Sequence, residues 1–124
     1  MYDIAIIGGG PAGLAAGLYG ARGGMDTVLL ENMLVGGQIT KTTQVDNYPG
    51  FPDGIDGFAI GTNMQKQAER FGLEIKRTGV DSVELEGEIK RLHCGREVIE
   101  AKAVIIATGA HPKKLGLDRE EKLT

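Results

Sequence analysis

The sequence predicts an α/β domain in which a parallel β-sheet is joined by a small antiparallel meander. An apolar, β-branched run at Tyr2–Ile7 ends in glycines and leads into a stretch with helical spacing, which indicates a β-α unit. A second apolar run at residues 27–31 extends this to β-α-β, whose strands are parallel with a right-handed crossover. Short alternating runs between residues 81 and 102 indicate the meander.

The first helix is predicted over residues 11–24. Pro11 is tolerated in a first helical turn, where its missing N–H removes no intrahelical hydrogen bond. Apolar residues recur on one face of this helix at Leu14, Leu18 and Ala21. Gly17 and Gly20 each cost on the order of 1 kcal/mol inside a helix relative to alanine, so we expect them to allow close packing.

The second half of the chain contains weaker and shorter signals. A helix is predicted at about residues 57–71, with Asp56 as its N-cap and Gly72 as its end. Residues along one face of that helix are Ile60, Met64, Ala68 and Phe71. A third strand is predicted at residues 73–77, followed by meander strands within 81–87, 88–94 and 96–102, and then by a separate buried strand at 103–109.

Composition and charge restrict the class of protein. The chain has 124 residues, of which 41% are hydrophobic and 25% charged, and this is ordinary for one globular domain. Its net charge of −3 argues against binding to nucleic acid or to a membrane surface. The single cysteine, Cys94, excludes an intramolecular disulfide, and the N-terminal apolar run is too short for a signal peptide or membrane span. We therefore expect a soluble cytoplasmic protein.

A glycine motif follows the first strand and opens the first helix. Gly8 allows a tight turn, Gly10 lets a pyrophosphate approach the backbone, and Gly13 lets the helix lie close to the strand. The N–H groups of the helix N-terminus favour an anion. Glu31 ends the second strand 23 positions after Gly8, near the spacing of a carboxylate that binds a ribose diol. The motif predicts a Rossmann-like dinucleotide site, and the charge of Glu31 disfavours the 2′-phosphate of NADP.

The motif alone does not distinguish FAD from NAD, but three further stretches resemble the FAD domain of the low-molecular-weight thioredoxin reductases. They are GGQITKTTQVDNYPGFPDGIDG at residues 36–57, GLEIKRTGVDSVEL, and AVIIATGAHPKKLGL at residues 103–117. The resemblance extends over essentially the whole chain and implies an FAD-binding fold. Gly17 departs from the family, whose fingerprint helix usually has alanine there.

The resemblance also implies the residues that contact FAD. They are Gly8, Gly10, Pro11, Ala12 and Gly13 for the pyrophosphate, Glu31 for the adenosine ribose, Gly37 and Gln38 for the flavin side, Asn47 near the isoalloxazine ring, the backbone of Val80 for the adenine, and Ala107, Thr108 and Gly109 closing over the cofactor. From residue type alone, loop capping and turn formation explain Gln38 and Asn47 better. No catalytic residue and no metal ligand is predicted.

In this family the redox reaction takes place at a Cys-x-x-Cys pair in an NADPH domain inserted into the FAD domain, and a final segment completes the FAD fold. The chain has one cysteine and ends where the linker to the NADPH domain is expected. We therefore expect residues 1–124 to be the N-terminal part of an FAD-binding domain, without the NADPH domain and C-terminal FAD segment. That domain is incomplete without the C-terminal segment, and the chain alone is expected to be inactive.

The reaction implied for the parent protein passes electrons from NADPH through FAD and the cysteine pair to thioredoxin. Because relatives are homodimers, self-association is also expected. Cys94 is predicted to be an incidental residue of a hairpin turn, and His93 and His111 are predicted to be surface residues without a carboxylate or cysteine partner. Two alternatives are a fragment of a thioredoxin-reductase-like ferredoxin–NADP reductase and a non-enzymatic module that binds FAD or ADP.

Overall fold

The computed structural model describes residues 1–33, 35–37, 40 and 44–109. Within them the chain forms six strands and two helices, in the order β1 (Tyr2–Ile7), α1 (Pro11–Arg22), β2 (Thr27–Leu30), α2 (Gly57–Arg70), β3 (Glu74–Lys76), β4 (Ser82–Glu84), β5 (Lys90–Cys94) and β6 (Glu97–Ile106). The described strands form one sheet in the order β3-β2-β1-β6-β5-β4. Neighbours among β3, β2, β1 and β6 pair in parallel, whereas β5 pairs antiparallel with both β6 and β4. The predicted α/β class, with a parallel sheet and an antiparallel meander, is confirmed.

β6 differs from the prediction, because the expected third meander strand and the expected final strand are one strand of ten residues. Residues 97–101 pair antiparallel with β5, and residues 101–106 pair parallel with β1. The sequence between these halves has no glycine or proline to interrupt it. The predicted burial of the second half is wrong for Ile105 and Ile106, which are 37% and 61% exposed. Beyond Ala101, β6 pairs only with β1 among the described strands, so these two residues lie at a sheet edge.

Both faces of the parallel strands are covered. Ile6 and Leu29 belong to a buried cluster that also contains residues of α1 and α2. Their chain neighbours Ala5 and Val28 belong to a second cluster, which contains residues of β5 and β6. Because successive side chains of a strand point to opposite faces, the helices cover one face and the meander covers the other.

The helices begin where the sequence predicts and end one or two residues earlier. Leu14 and Ala21 of α1 are buried as expected, as are Ile60 and Ala68 of α2. At the start of α2 the Asp56 side chain accepts a hydrogen bond from the N–H of Phe58 at 3.0 Å, which confirms the predicted N-cap. Phe71, predicted on the same helix face, is 36% exposed because it lies past the last residue of α2, and the Arg70 guanidinium lies 4.7 Å from the centroid of its ring.

Gly17 and Gly20, in the second half of α1, lie at close contacts, as expected from the sequence. A β-carbon at Gly17 would stand 2.6 Å from Cδ2 of Leu73, the residue that precedes β3. A β-carbon at Gly20 would stand 2.9 Å from Oγ1 of Thr27, the first residue of β2. The absence of these two side chains therefore lets α1 pack closely against β2 and against Leu73, in the connection between α2 and β3.

Candidate dinucleotide site

The candidate site lies at the carboxyl edge of the four parallel strands. The chain leaves β1, β2, β3 and β6 at this edge, so the loops that follow them meet there. These loops begin at Gly8, Glu31, Arg77 and Ala107. In open α/β sheets this is the edge at which ligands bind.

Gly8 and Gly13 have the tight geometry that the motif requires. Gly8 has a φ of +110°, a conformation that favours glycine, and a β-carbon there would stand 2.1 Å from the carbonyl oxygen of Ala107. A β-carbon at Gly13 would stand 1.9 Å from the carbonyl oxygen of Gly8. These two glycines therefore close the turn between β1 and α1, and the first turn of α1 lies directly on the end of β1.

Gly10 is different, because the space beside it is open. Among the described residues, the only atom that a β-carbon there would meet within 4 Å is Cα of Gly37, at 3.8 Å. Gly10 is the N-cap of α1, and within the described part of the chain no side chain caps it and no acidic residue lies in the first turn. The N–H groups of Ala12 and Gly13 at this helix end are therefore left to an external partner, and the helix dipole favours an anion. This bare surface fits the pyrophosphate of a dinucleotide.

Glu31 follows β2 and folds back onto the glycine turn. Its Oε1 accepts a hydrogen bond from the N–H of Gly9 at 2.9 Å, and its Oε2 accepts one from the N–H of Met33 at 3.2 Å. These bonds fix the orientation of the carboxylate and leave each oxygen a second lone pair. A fixed carboxylate with free acceptor capacity, next to an anion site, suits the two hydroxyl groups of a ribose.

The loop after residue 34 docks on the glycine turn. The N–H of Gly36 donates to the carbonyl of Gly9 at 2.7 Å, and the hydroxyl of Thr40 donates to the carbonyl of Gly37 at 2.6 Å. Gly37 has a φ of +67°, and a β-carbon on it would stand 2.9 Å from Cα of Gly10. The structure thus brings Gly37 to the open face of Gly10. Gln38, predicted beside it, lies outside the described residues.

The segment after β6 also reaches the glycine turn. The N–H of Ala107 donates to the carbonyl of Ile7 at 2.8 Å, which continues the pairing of β6 with β1 by one residue. Cα of Thr108 lies 3.1 Å from the position of a β-carbon on Gly8. Gly109 follows at a φ of +77°, and both Thr108 and Gly109 are exposed.

Two residues predicted to contact FAD, Val80 and Asn47, do not contact the glycine turn in the described structure. Val80, in the loop after β3, is half-buried against the cluster that contains Val28 and Leu30. Asn47 is exposed and lines an open groove of about 340 Å³ formed by residues 46–52. Its loop is closed by the bridge between Val45 and Ile55, and the described hydrogen bonds do not connect Asn47 to the glycine turn.

Sequence reasoning missed one contact at this edge. Asn32, directly after Glu31, lies against Gly79 in the loop after β3, where a β-carbon would stand 3.3 Å from Asn32 Nδ2. In the sequence, the available signals were that Asn32 follows the predicted ribose-binding Glu31 and that Gly79 precedes the predicted adenine contact Val80. Neither position stands out without knowledge that the two loops meet.

The described cysteine and histidine, Cys94 and His93, lie on β5 and not at this edge. Cys94 ends β5 with its side chain in the buried cluster, rather than lying in the hairpin turn as predicted. Burial raises the pKa of its thiol, and the negative charges of Glu97 and Asp81 add to that effect. This environment disfavours the reactive thiolate.

The prediction that His93 has no carboxylate partner is wrong. Its Nε2 lies 2.8 Å from Oε2 of Glu84. The register of β4 and β5 places Ser82 opposite His93, so Glu84 is the diagonal neighbour on the same face. His111 lies outside the described residues. No group of three or more metal-ligating side chains occurs within the described ranges, and no described helix is long and apolar enough to cross a membrane.

The fold and site together define a class of protein. The sequence pattern of the pyridine nucleotide-disulphide oxidoreductase family matches residues 2–124, and the chain belongs to this family. Over 124 residues it is 50% identical to the thioredoxin reductase of Peptoclostridium litorale and 43% identical to that of Mycolicibacterium smegmatis. All of this chain aligns with 39% and 40% of those two proteins, so it spans about two-fifths of their length.

Solved structures give the same result. The thioredoxin reductase of Lactococcus lactis superposes with a TM-score of 0.91 at 38% identity, over 98% of this chain and 40% of that one. A ferredoxin-flavin thioredoxin reductase from Clostridium acetobutylicum superposes with a TM-score of 0.82 at 31% identity, over 99% of this chain and 42% of that one. The resemblance to thioredoxin reductases predicted from the sequence is confirmed.

Proposed function

We propose that this chain forms the FAD-binding part of a thioredoxin reductase. The observation that carries the proposal is the open, uncapped N-terminus of α1 at Gly10, next to the oriented carboxylate of Glu31. The identity to thioredoxin reductases over all 124 residues of this chain supports FAD as the dinucleotide and thioredoxin as the partner of the whole protein. NADPH as electron donor, a homodimeric assembly and a cytoplasmic location belong to the same proposal.

The proposal gives each part of the site a role. The backbone from Gly8 to Gly13 holds the pyrophosphate, and Pro11 presets the first turn of α1 without adding an N–H group. Glu31 holds the ribose of the adenosine half. Gly37, Gln38 and Asn47 contact the flavin half, while the backbone of Val80 contacts the adenine. The segment Ala107, Thr108 and Gly109 closes the edge of the site.

When bound, FAD supplies the electron transfer between the nicotinamide and a pair of cysteines. This chain's own residues bind the cofactor and fix its position. Its single cysteine is buried and its thiol pKa is raised by burial, so we assign it no part in disulfide exchange. We accordingly propose that the 124 residues alone reduce no disulfide.

A second candidate follows from the likeness to the ferredoxin-flavin thioredoxin reductase. In that case a ferredoxin replaces NADPH as electron donor, while the FAD site of this chain is used in the same way. A family member without redox cysteines, such as a ferredoxin–NADP reductase, and a non-enzymatic FAD or ADP module are the remaining alternatives. Comparing NADPH and reduced ferredoxin as donors for thioredoxin reduction by the whole protein separates the two reductases. The other two alternatives reduce no thioredoxin, and NADPH-dependent reduction of ferredoxin separates them from each other.

The test of the FAD site compares the chain with its Gly10→Val variant. A side chain at position 10 meets no close contact among the described residues, but valine is a poorer N-cap than glycine, so the ligand-free variant should lose no more than about 1 kcal/mol of stability. The valine nevertheless fills the space of the pyrophosphate, so FAD binding measured by flavin fluorescence should be lost. ADP should displace FAD from the wild type. Equal FAD affinity in the two proteins would contradict the site.

A turnover assay tests the proposed inactivity. The chain, FAD, NADPH and thioredoxin are mixed, with free FAD and no chain as the control. Thioredoxin reduction should stay at the level of the control. A rate above that level would show redox chemistry in these 124 residues that the buried Cys94 does not explain.

A further inference from the structure

Asn32 lies on the backbone of Gly79, and this contact joins the loops that follow β2 and β3. A β-carbon at Gly79 would stand 3.3 Å from Asn32 Nδ2 and 3.4 Å from Asn32 Cβ. Gly79 is not among the residues with positive φ, so its backbone conformation does not require glycine. What the glycine provides is room for the Asn32 side chain, which is otherwise exposed.

The order of the strands shows which part of a dinucleotide this contact faces. The sheet runs β3-β2-β1, so the loops after these strands lie side by side along the carboxyl edge. The helix N-terminus after β1 is the pyrophosphate site, and Glu31 after β2 is the ribose site. The next position along the edge, between the loops of β2 and β3, is that of Asn32 and Gly79. A dinucleotide extended along this edge places its purine base there.

We propose that Asn32 is a specificity-determining residue that recognises the adenine base, an inference that rests on the proposed FAD site. A carboxamide carries an acceptor oxygen beside a donor NH₂ group. Adenine presents the complementary pair, a donor amino group beside an acceptor ring nitrogen, and this pairing is how asparagine reads adenine in DNA. Hypoxanthine has a carbonyl oxygen in place of the amino group, so it loses one of the two hydrogen bonds.

Calorimetric titration of the chain with ADP and with IDP tests the assignment. The two probes share ribose and pyrophosphate, so they differ only at the base. The wild type should bind ADP about five- to a hundredfold more tightly than IDP, the range expected for one such pair. Asn32→Ala should lower the ADP-to-IDP affinity ratio, mainly through weaker ADP binding, and keep only the discrimination that the backbone of Val80 supplies. Asn63→Ala, which removes an exposed asparagine of α2, should keep the wild-type ratio.

A second variant tests the contact itself. Gly79→Ala places a methyl group 3.3 Å from Asn32 Nδ2 without backbone strain, so the carboxamide must shift by a few tenths of an ångström and the ADP-to-IDP affinity ratio should fall. A wild type that binds both probes equally, or an Asn32→Ala variant that keeps the wild-type ratio, overturns the role of Asn32 and leaves the dinucleotide site standing. A wild type that binds neither probe contradicts the dinucleotide site, and the assignment of Asn32 falls with it.

Discussion

The first turn of α1 lies so close to β1 that Gly13 and the carbonyl of Gly8 leave no room for a side chain between them. A β-carbon at Gly13 would stand 1.9 Å from that oxygen, which belongs to the backbone and can move only if the turn opens. The contact fixes where the helix N-terminus lies relative to the sheet edge. The position of the candidate anion site therefore depends on this pair of glycines.

Gly13→Ala should destabilise the chain by about 2 kcal/mol or more, because the cost of overpacking exceeds the roughly 1 kcal/mol that alanine gains in helix propensity. The free energy of unfolding in urea measures the effect. Gly10→Ala is the matched control, since its methyl group meets no close contact among the described residues, and it should lose only the smaller free energy of the poorer N-cap, about 0.5 kcal/mol. Equal stabilities of the two variants would contradict the contact.

Glu31→Ala should weaken ADP binding by about 1–3 kcal/mol, the usual cost of losing hydrogen bonds to a charged group. It should also reduce stability slightly, because the N–H groups of Gly9 and Met33 lose their acceptor. Glu31→Gln keeps one acceptor oxygen and should have an intermediate affinity. Glu69→Ala removes an exposed carboxylate from α2 and should leave ADP affinity unchanged. An unchanged affinity in Glu31→Ala would remove Glu31 from the site.

Gly17→Ala and Leu73→Ala should be coupled. With Leu73 in place, the methyl group added by Gly17→Ala would stand 2.6 Å from Leu73 Cδ2 and push a buried side chain out of place. In the Leu73→Ala background that obstacle is gone, so the same substitution should stabilise the chain by up to about 1 kcal/mol. A double-mutant cycle in urea should give a coupling energy of about 0.5–3 kcal/mol. Strict additivity would show that Gly17 serves no packing role.

Cys94 should react slowly with iodoacetamide in the folded chain. Burial raises the pKa of the thiol, so at pH 7–8 it holds less of the reactive thiolate than an ordinary cysteine, and the rate should rise with pH. The denatured chain is the control and should react at the rate of a free thiol. Comparable rates in the two states would contradict the burial of Cys94.

The raised pKa of Cys94 also predicts the direction in which stability changes with pH. Because the folded pKa of Cys94 lies above the unfolded pKa, the unfolded thiol ionises first as the pH rises. The free energy of unfolding should therefore fall as the pH passes through the ordinary thiol range near about 8.5, and Cys94→Ala should remove that fall. Urea titrations of both proteins at pH 7 and pH 9.5 measure the difference.

Local signals predicted the elements that carry the site. The bounds of β1, the start of α1 at Pro11 and the Asp56 cap of α2 all depend on neighbouring residues, and all three were predicted from the sequence. β6 was divided in two, because its continuity depends on partners on two different strands far away in the chain. Alternation along the strand does not show where one partner replaces the other.

In the candidate site, too, features set by neighbouring residues were predicted and contacts between distant segments were missed. The glycine turn and Glu31 were predicted because their spacing is fixed within one β-α-β unit. The contacts of Asn32 with Gly79 and of His93 with Glu84 were missed, because each joins two loops or strands whose register the sequence does not state. The predicted roles of Gln38, Asn47 and Val80 depend on a bound cofactor and stay predictions.

The position of β1 between β2 and β6 has a consequence for synthesis of the chain. β1 is made first, yet the partner on its second side is completed only at Ile106. At translation rates of about 5–20 residues per second, roughly 5–20 s separate the emergence of the two strands from the ribosome. During that interval one edge of an apolar strand has no partner from its own sheet, so the nascent chain is a predicted client for chaperones that hold exposed strands.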